Sequence, residues 1–337
     1  MPSRQSLTAI CGPVPRRARY LRAVDVLRQW GLGDAVAEVV ESGLTNRTWR
    51  VAHGGQVWFL RRYRTGDSVA VRREHDLIRH VAEAGAYTPR PVPDRDGETV
   101  VTDNEALFAL FEAAAGQQLE PHDLHADHAA SAGAFLARLH TATADIAADH
   151  FRQLTLAWDG AAWADRVRTT AKLIPQNGAS ELDRWAYQRS MEQAAWLEHP
   201  GCPHRYVPEG APQVIHGDYQ HANLFFVGAE VSAVIDWDTA VAICRGFEVV
   251  RACAFMFHLE AERTRSFVAG YRSVSAISAT ELHDGANAWG CFADHHVWPT
   301  EERYRHGNHA AQRFIERRPF VPFRHAWTDL GLDSDPG

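Results

Sequence analysis

Residues 216–238 read HGDYQHANLFFVGAEVSAVIDWD, and their pattern decides the fold. Val214 and Ile215 just ahead are apolar and β-branched, so a short buried strand can lead into His216-Gly217-Asp218, where Gly217 lets the backbone turn sharply. Asp218 then sits at a strand end. Five positions on, Asn223 precedes a second apolar run, Leu224-Phe225-Phe226-Val227, and after Gly228 a third run ending at Ile235 delivers Asp236. Two short strands closing a hairpin bring Asn223 and Asp236 side by side.

These residue types suit phosphoryl transfer. That reaction asks little covalent work of a protein, so a site must hold Mg²⁺ against nucleotide phosphates and aim an acceptor hydroxyl in line. Magnesium takes hard oxygen ligands, few of them from protein. Asp236 and Asn223 are the candidate metal ligands, which leaves Asp218 to accept or orient the hydroxyl proton. Taken one at a time, Asp218 and Asn223 are also ordinary turn formers, and Asp236 an ordinary loop cap.

The run HGD, followed by Asn223 and by IDWD, resembles the signature of the aminoglycoside phosphotransferase family. This group of small-molecule kinases is related in fold to protein kinases and includes choline, homoserine and methylthioribose kinases. The resemblance covers residues 20–290, concentrated at 214–238 and diffuse elsewhere. It implies an α+β, two-lobed protein-kinase-like fold, with a small antiparallel-sheet N-lobe and a larger helical C-lobe. It also implies ATP and Mg²⁺ as cofactors, and an organising role for His216 in the catalytic loop.

The 337-residue length is too great for one ordinary core and suits two lobes. We expect a flexible leader over residues 1–18, a nucleotide-covering lobe over 19–112 and a catalytic lobe over 113–330. Apolar content of 45% and charged content of 23% belong to a globular chain rather than a disordered one. No apolar stretch approaches the ~18 residues of a membrane span. The basic N-terminus is punctuated by Pro2, Pro13 and Pro15, without the apolar core of a secretory signal, so a cytoplasmic location is expected. Five cysteines, scattered and without a CxxC pair, read as buried thiols of a reducing compartment rather than a disulfide frame or zinc site. A formal charge of −7 argues against a nucleic-acid partner and fits a cationic substrate.

Upstream, apolar spacing predicts a helix over residues 19–30 and strands over 36–40, 48–52 and 57–60. The turn between the first two strands holds Ser42, Gly43, Thr45 and Asn46. In the resembled family such a turn lays backbone amides over phosphates, although GxGxxG is missing here. The third strand of a kinase carries a lysine paired with a glutamate on the next helix. This chain has a single lysine, Lys172, far from that strand. Arg61 is the candidate substitute, with Arg62 on the other strand face as runner-up, and Glu74 on a helix expected over residues 72–84 is its candidate partner. A glutamate in a first helical turn is also favoured by the helix dipole alone. Strands at 99–101 and 106–111 then lead, by resemblance, to backbone around Glu112 and Ala113 that would meet the adenine edge.

Beyond Gly116 the pattern is helical, at residues 127–143, 161–172, 180–198 and 247–259. His122, His125 and His128 are spaced by three, but a polar first turn explains them better than a metal, and His295-His296 is a similar case. Glu248, Glu260, Glu262, Glu301 and Glu302 could offer anionic sites to an ammonium group; a solvated surface is the simpler reading for most. The expected function is ATP-dependent phosphorylation of a hydroxyl on a small, amino-bearing molecule, an aminoglycoside or aminocyclitol. A homoserine-type or other amino-alcohol kinase is the alternative within that class. A catalytically silent nucleotide-binding protein is the alternative outside it, and a protein kinase is disfavoured because HGD and IDWD replace HRD and DFG. Neither nucleic acid nor membrane is an expected partner.

Overall fold

The computed structural model describes residues 25–40 and 46–332. The leader, most of the helix expected from residue 19, Cys11, Ser42, Gly43 and Thr45 lie outside these residues. The chain divides into two compact units, residues 1–79 with 89–113, and residues 80–88 with 114–337.

The first unit is built on an antiparallel sheet of β1 (Val36–Val40), β2 (Arg47–His53), β3 (Gln56–Arg62), β4 (Pro91–Val92), β5 (Val101–Asp103) and β6 (Ala106–Glu112). The order is β1-β2-β3-β6-β4, with β5 also on β6. Strands β2 and β3 turn through Gly54 and Gly55, whose φ values of 55° and 81° meet the need of a two-residue hairpin turn. Trp49 pairs with Leu60 and Leu60 with Leu110, so one cross-strand row carries the core, closed by Val26 and Leu27. Strand β3 runs two residues past its expected end because Arg61 and Arg62 still pair with Ala109 and Phe108 on β6. The helix α1 (Ser68–Glu83) starts four residues before position 72, since Asp67 Oδ1 accepts the N–H groups of Val69 and Ala70, each at 3.0 Å. Glu74 is therefore not a first-turn residue, and the dipole explanation for it falls.

The second unit is mainly helical. In chain order it contains α2 (Ala126–Ala142), β7 (Leu156–Ala157), α3 (Gly160–Ala171), α4 (Glu181–Glu198), β8 (Arg205–Tyr206), β9 (Gln213–Ile215), β10 (Leu224–Val227), β11 (Glu230–Val234) and β12 (Val241–Ile243). Then follow α5 (Arg245–Phe257), α6 (Ala261–Arg272), α7 (Ala279–Asp294), α8 (Trp298–Tyr304) and α9 (Phe323–Thr328). Ser180 with Asp183 and Ser278 with Glu281 form capping boxes that fix where α4 and α7 begin. Lys172 closes α3, its backbone N–H returning to Arg168. The His125 backbone N–H donates to His128 Nδ1 at 3.3 Å, so these two histidines serve the start of α2. No described helix is long and apolar enough to cross a membrane.

Helices α2 and α6 cross backbone to backbone. A Cβ on Gly133 would run into the carbonyl of Phe267, and one on Gly270 into the carbonyl of Ala130. Alanine would raise intrinsic helix propensity by about 1 kcal/mol at either site, yet the clash forces the helices apart, at a typical overpacking cost of about 1–3 kcal/mol. Gly133→Ala and Gly270→Ala should each lower the urea midpoint of unfolding despite the better helix former; a raised midpoint would mean the crossing separates freely.

Candidate active site

Strand β9 delivers the site. Its last residue, Ile215, pairs with Val241 on β12, and the chain between them leaves the ladder and returns. Gly217 has φ 82°, and any Cβ there would strike the Thr239 carbonyl, so glycine is required both by conformation and by room. The turn is held from below by Glu248 on α5, a fully buried carboxylate. It accepts the backbone N–H groups of His216 at 3.1 Å and Gly217 at 2.6 Å, and the Nε2–H of His140 at 3.0 Å. Burial alone would push this carboxyl up; its bond to His140 and the nearby Arg251 outweigh that and hold it below its ordinary value.

His216 joins the Asp218 turn to the segment that ends in Asp236. Its Nε2–H donates to the Ile235 carbonyl at 3.0 Å, and its Nδ1 accepts the Asp218 N–H at 3.2 Å, which fixes one tautomer. The ring packs on Trp237, centroids 4.5 Å apart, and the Trp237 indole N–H donates to Thr88 Oγ1 at 3.0 Å.

Strands β10 and β11 form the expected hairpin, with a register shift between Phe225 and Phe226. The Ile235 N–H donates to the Asn223 carbonyl at 2.9 Å, which sets Asp236 next to Asn223 in the backbone network. Asp236 has φ 73°, a left-handed conformation that costs a non-glycine residue about 1–3 kcal/mol and is typical of functional positions. Asn223 is buried and gives its amide N–H₂ to Asp218, at 2.8 Å to the carbonyl and 2.9 Å to Oδ2. Its amide oxygen is thereby the end able to meet a cation. With the Asp236 carboxylate it makes a hard-oxygen pair, the donor chemistry that fits Mg²⁺.

Asp218 is gripped more tightly than its sequence suggests. Oδ2 also accepts from Gln220 Nε2 at 2.8 Å, and Oδ1 accepts from Arg251 Nη2. A carboxylate offers about four lone-pair positions, so three donors leave one for an incoming hydroxyl. Arg251 is itself set by Phe255, whose ring centre lies 4.5 Å from its guanidinium carbon, and by a 3.2 Å bond to the Tyr219 carbonyl. Neither Arg251 nor Gln220 was singled out from sequence. The available signal was spacing, since Glu248 and Arg251 stand three apart on one helix and so share a face.

In the sheet unit, Arg61 Nη1 lies 3.3 Å from Glu74 Oε1, with both side chains mostly buried, whereas Arg62 is exposed. Glu74 is held by a one-way chain: Thr99 Oγ1 is 2.8 Å from His75 Nδ1, His75 Nε2 is 3.0 Å from the Tyr63 hydroxyl, and that hydroxyl donates to Glu74 at 3.4 Å. Burial, and secondarily Arg61, Arg72 and Arg79, lower His75 to about 4, so its ring is neutral near pH 7. Asn46 Oδ1 accepts the Arg64 N–H at 3.2 Å. Glu112 exchanges backbone and side-chain bonds with the Arg90 peptide, and Ala113 ends the unit.

The acidic candidates for an ammonium site mostly serve the fold. Glu248 braces the turn, Glu301 takes a bidentate grip from Arg166 at 2.6 and 2.7 Å, and Glu260 caps α6. Glu302 accepts from Asn308 at 3.0 Å.

A family model described as the phosphotransferase enzyme family matches residues 36–284. The homoserine kinase of Methylobacillus flagellatus is 26% identical over 274 residues, 76% of this chain and 77% of that protein. That of Bradyrhizobium diazoefficiens is 32% identical over 203 residues, 53% of this chain and 56% of that protein. Among solved structures, spectinomycin phosphotransferase in complex with ADP and spectinomycin aligns with a TM-score of 0.67 at 11% identity, over 91% of this chain and 97% of that one. A microcompartment-associated aminopropanol kinase aligns at 0.59 and 20% identity, over 93% and 98%. At these identities the structural likeness establishes the fold, the α+β kinase-like arrangement expected from the sequence. The match over most of its length to the family model, carried on that fold, makes this chain a member of the phosphotransferase enzyme family.

Proposed function

We propose that this enzyme transfers the γ-phosphoryl group of ATP to a hydroxyl of a small, amino-bearing molecule. The observation that carries the reading is the contact set around Asp218: Asn223, Gln220 and Arg251 aim one carboxylate, while the His216 bond to Ile235 ties it to the segment ending in Asp236. Asp218 orients the acceptor hydroxyl and takes its proton. Asn223 and Asp236 hold Mg²⁺, which when bound neutralises phosphate charge and fixes the phosphoryl group in line. In the sheet unit, Arg61 supplies the positive charge that a kinase lysine would supply, and Glu74 keeps its guanidinium in place. By the family pattern, Ser42, Gly43, Thr45 and Asn46 cover phosphates, and Glu112 with Ala113 meets the adenine. Residues 19–112 act as the nucleotide lobe and 113–330 as the catalytic lobe, at home in the cytoplasm.

The acceptor is a polyfunctional aminoglycoside or aminocyclitol, or a homoserine-sized amino alcohol; the homoserine kinases among the relatives favour including the second. Following ADP release over a panel of both classes should give turnover with at least one amino-bearing alcohol. Asp218→Asn should then cut its kcat by about 10²–10⁴-fold with ATP affinity nearly intact, because loss of a general base acts on the transition state. A panel without any turnover, by protein that binds ATP, would support the silent alternative.

Asp236→Ala should weaken Mg²⁺-dependent ATP binding more than Asn223→Ala, since a carboxylate neutralises charge and an amide only coordinates. Asn223→Ala should in addition lower kcat, because it removes a donor to Asp218. Calorimetry with and without Mg²⁺ separates these; equal, small effects would mean neither residue is a ligand.

Arg61→Ala and Glu74→Ala should each raise the KM for ATP, and the double variant should fall well short of additive, as for residues in direct contact. Arg61→Lys should keep appreciable activity because the charge survives. Sensitivity at the exposed Arg62 instead would transfer the role to that residue.

A further inference from the structure

Three residues distant in sequence meet in the helical unit. Cys202 and His204 lie in the loop between α4 and β8, and His295 follows the last residue of α7. Cys202 and His295 are buried, and one ligand atom from each of the three lies within 4.8 Å of the others. His204 Nδ1 is 3.0 Å from His295 Nε2, and Cys202 Sγ is 3.9 Å from His204 Nδ1.

The surroundings orient the two histidine rings. His295 Nδ1 lies 2.7 Å from the Cys291 carbonyl, which can only accept, so the ring proton sits on Nδ1 and Nε2 presents its lone pair. A backbone carbonyl on the far ring nitrogen is the usual way a metal-binding histidine is oriented. Trp158 stacks on the same ring at 4.4 Å with planes 12° apart. His204 is seated by Gly160, where any Cβ would collide with its ring, and by the bond from the Trp158 N–H to its carbonyl at 2.8 Å. The Cys291 thiol donates to the Pro203 carbonyl at 3.1 Å, so α7 grips the Cys-Pro-His segment at two points one turn apart. Bond lengths of ~2.0–2.1 Å to nitrogen and ~2.3 Å to sulfur at tetrahedral angles require N···N and S···N separations of about 3.3 and 3.6 Å, within a few tenths of the His204–His295 and Cys202–His204 separations of 3.0 and 3.9 Å.

We propose that Cys202 Sγ, His204 Nδ1 and His295 Nε2 bind a Zn²⁺ ion that clasps the α4–β8 loop to the end of α7. One thiolate with two imidazoles selects zinc over the hard Mg²⁺ of phosphoryl transfer. As the Zn–S bond forms, the Cys202 thiol proton leaves to solvent, and a water molecule completes the tetrahedron. The sequence shows CPH at 202–204 but no CxxC or HxxxH, and the third ligand lies ninety-one residues on. No local spacing could have announced it.

Protein grown with zinc and passed through gel filtration should carry about one zinc per chain by elemental mass spectrometry. Cys202→Ser and His295→Gln should lose it, and His306→Ala, at an exposed histidine, should keep it. Two measurements need no variant. Chelator-stripped protein titrated with Co²⁺ should develop a thiolate-to-cobalt charge-transfer band, and Zn²⁺ should slow alkylation of Cys202 by iodoacetamide, mapped by peptide mass spectrometry. Metal-free protein with no cobalt band, zinc retained in Cys202→Ser, or Cys202 alkylation indifferent to Zn²⁺ would each overturn the assignment.

Discussion

The Glu248 carboxylate is the constraint on which the turn bearing Asp218 depends. It is fully buried, and two of its three donors are consecutive backbone N–H groups, those of His216 and Gly217. Unsatisfied, each of these would cost about 1–3 kcal/mol, so the carboxylate holds the turn in a geometry where its backbone is paired, directly ahead of Asp218. His140 supplies the third donor, and its other ring nitrogen meets the Tyr271 hydroxyl at 2.9 Å, which extends the brace from α5 through α2 to α6. The glycine crossing of α2 and α6 thus serves the chemistry from a distance: it sets the separation at which His140 and Tyr271 can meet.

A second economy lies in His216. One neutral ring donates to the Ile235 carbonyl and accepts from the Asp218 N–H. The residue proposed to handle the proton and the segment bearing the proposed metal ligand are therefore spaced by a rigid aromatic body rather than by two independent loops. A charged ring would lose the acceptor nitrogen and with it the bond to Asp218.

Much of this was legible in the sequence because it is local. The β9 approach, the turn at Gly217, the hairpin and the order Asp218, Asn223, Asp236 all follow from alternation, glycine and β-branching within a few dozen residues. Helices were legible to within a few residues by period, and misjudged where a cap decided the end, as when Asp67 started α1 early. What remained hidden was long-range. Arg251 reaches Asp218 across thirty-three positions, and Glu248 looked like a candidate for solvent or substrate until its helix was packed beneath the turn. The cysteine spacing read correctly as buried thiols for the four described cysteines, but it gave no sign that folding sets Cys202 beside two histidines.

The single lysine at the end of α3 has an experimental consequence. Covalent probes that tag kinases through an amine in the nucleotide site would find no side-chain amine among residues 1–171, so a proteome survey built on that chemistry would pass this enzyme by. The same scarcity makes Lys172, exposed at its helix end, a unique side-chain handle for amine coupling. A dye or surface attached there would leave every arginine proposed to meet phosphate unmodified.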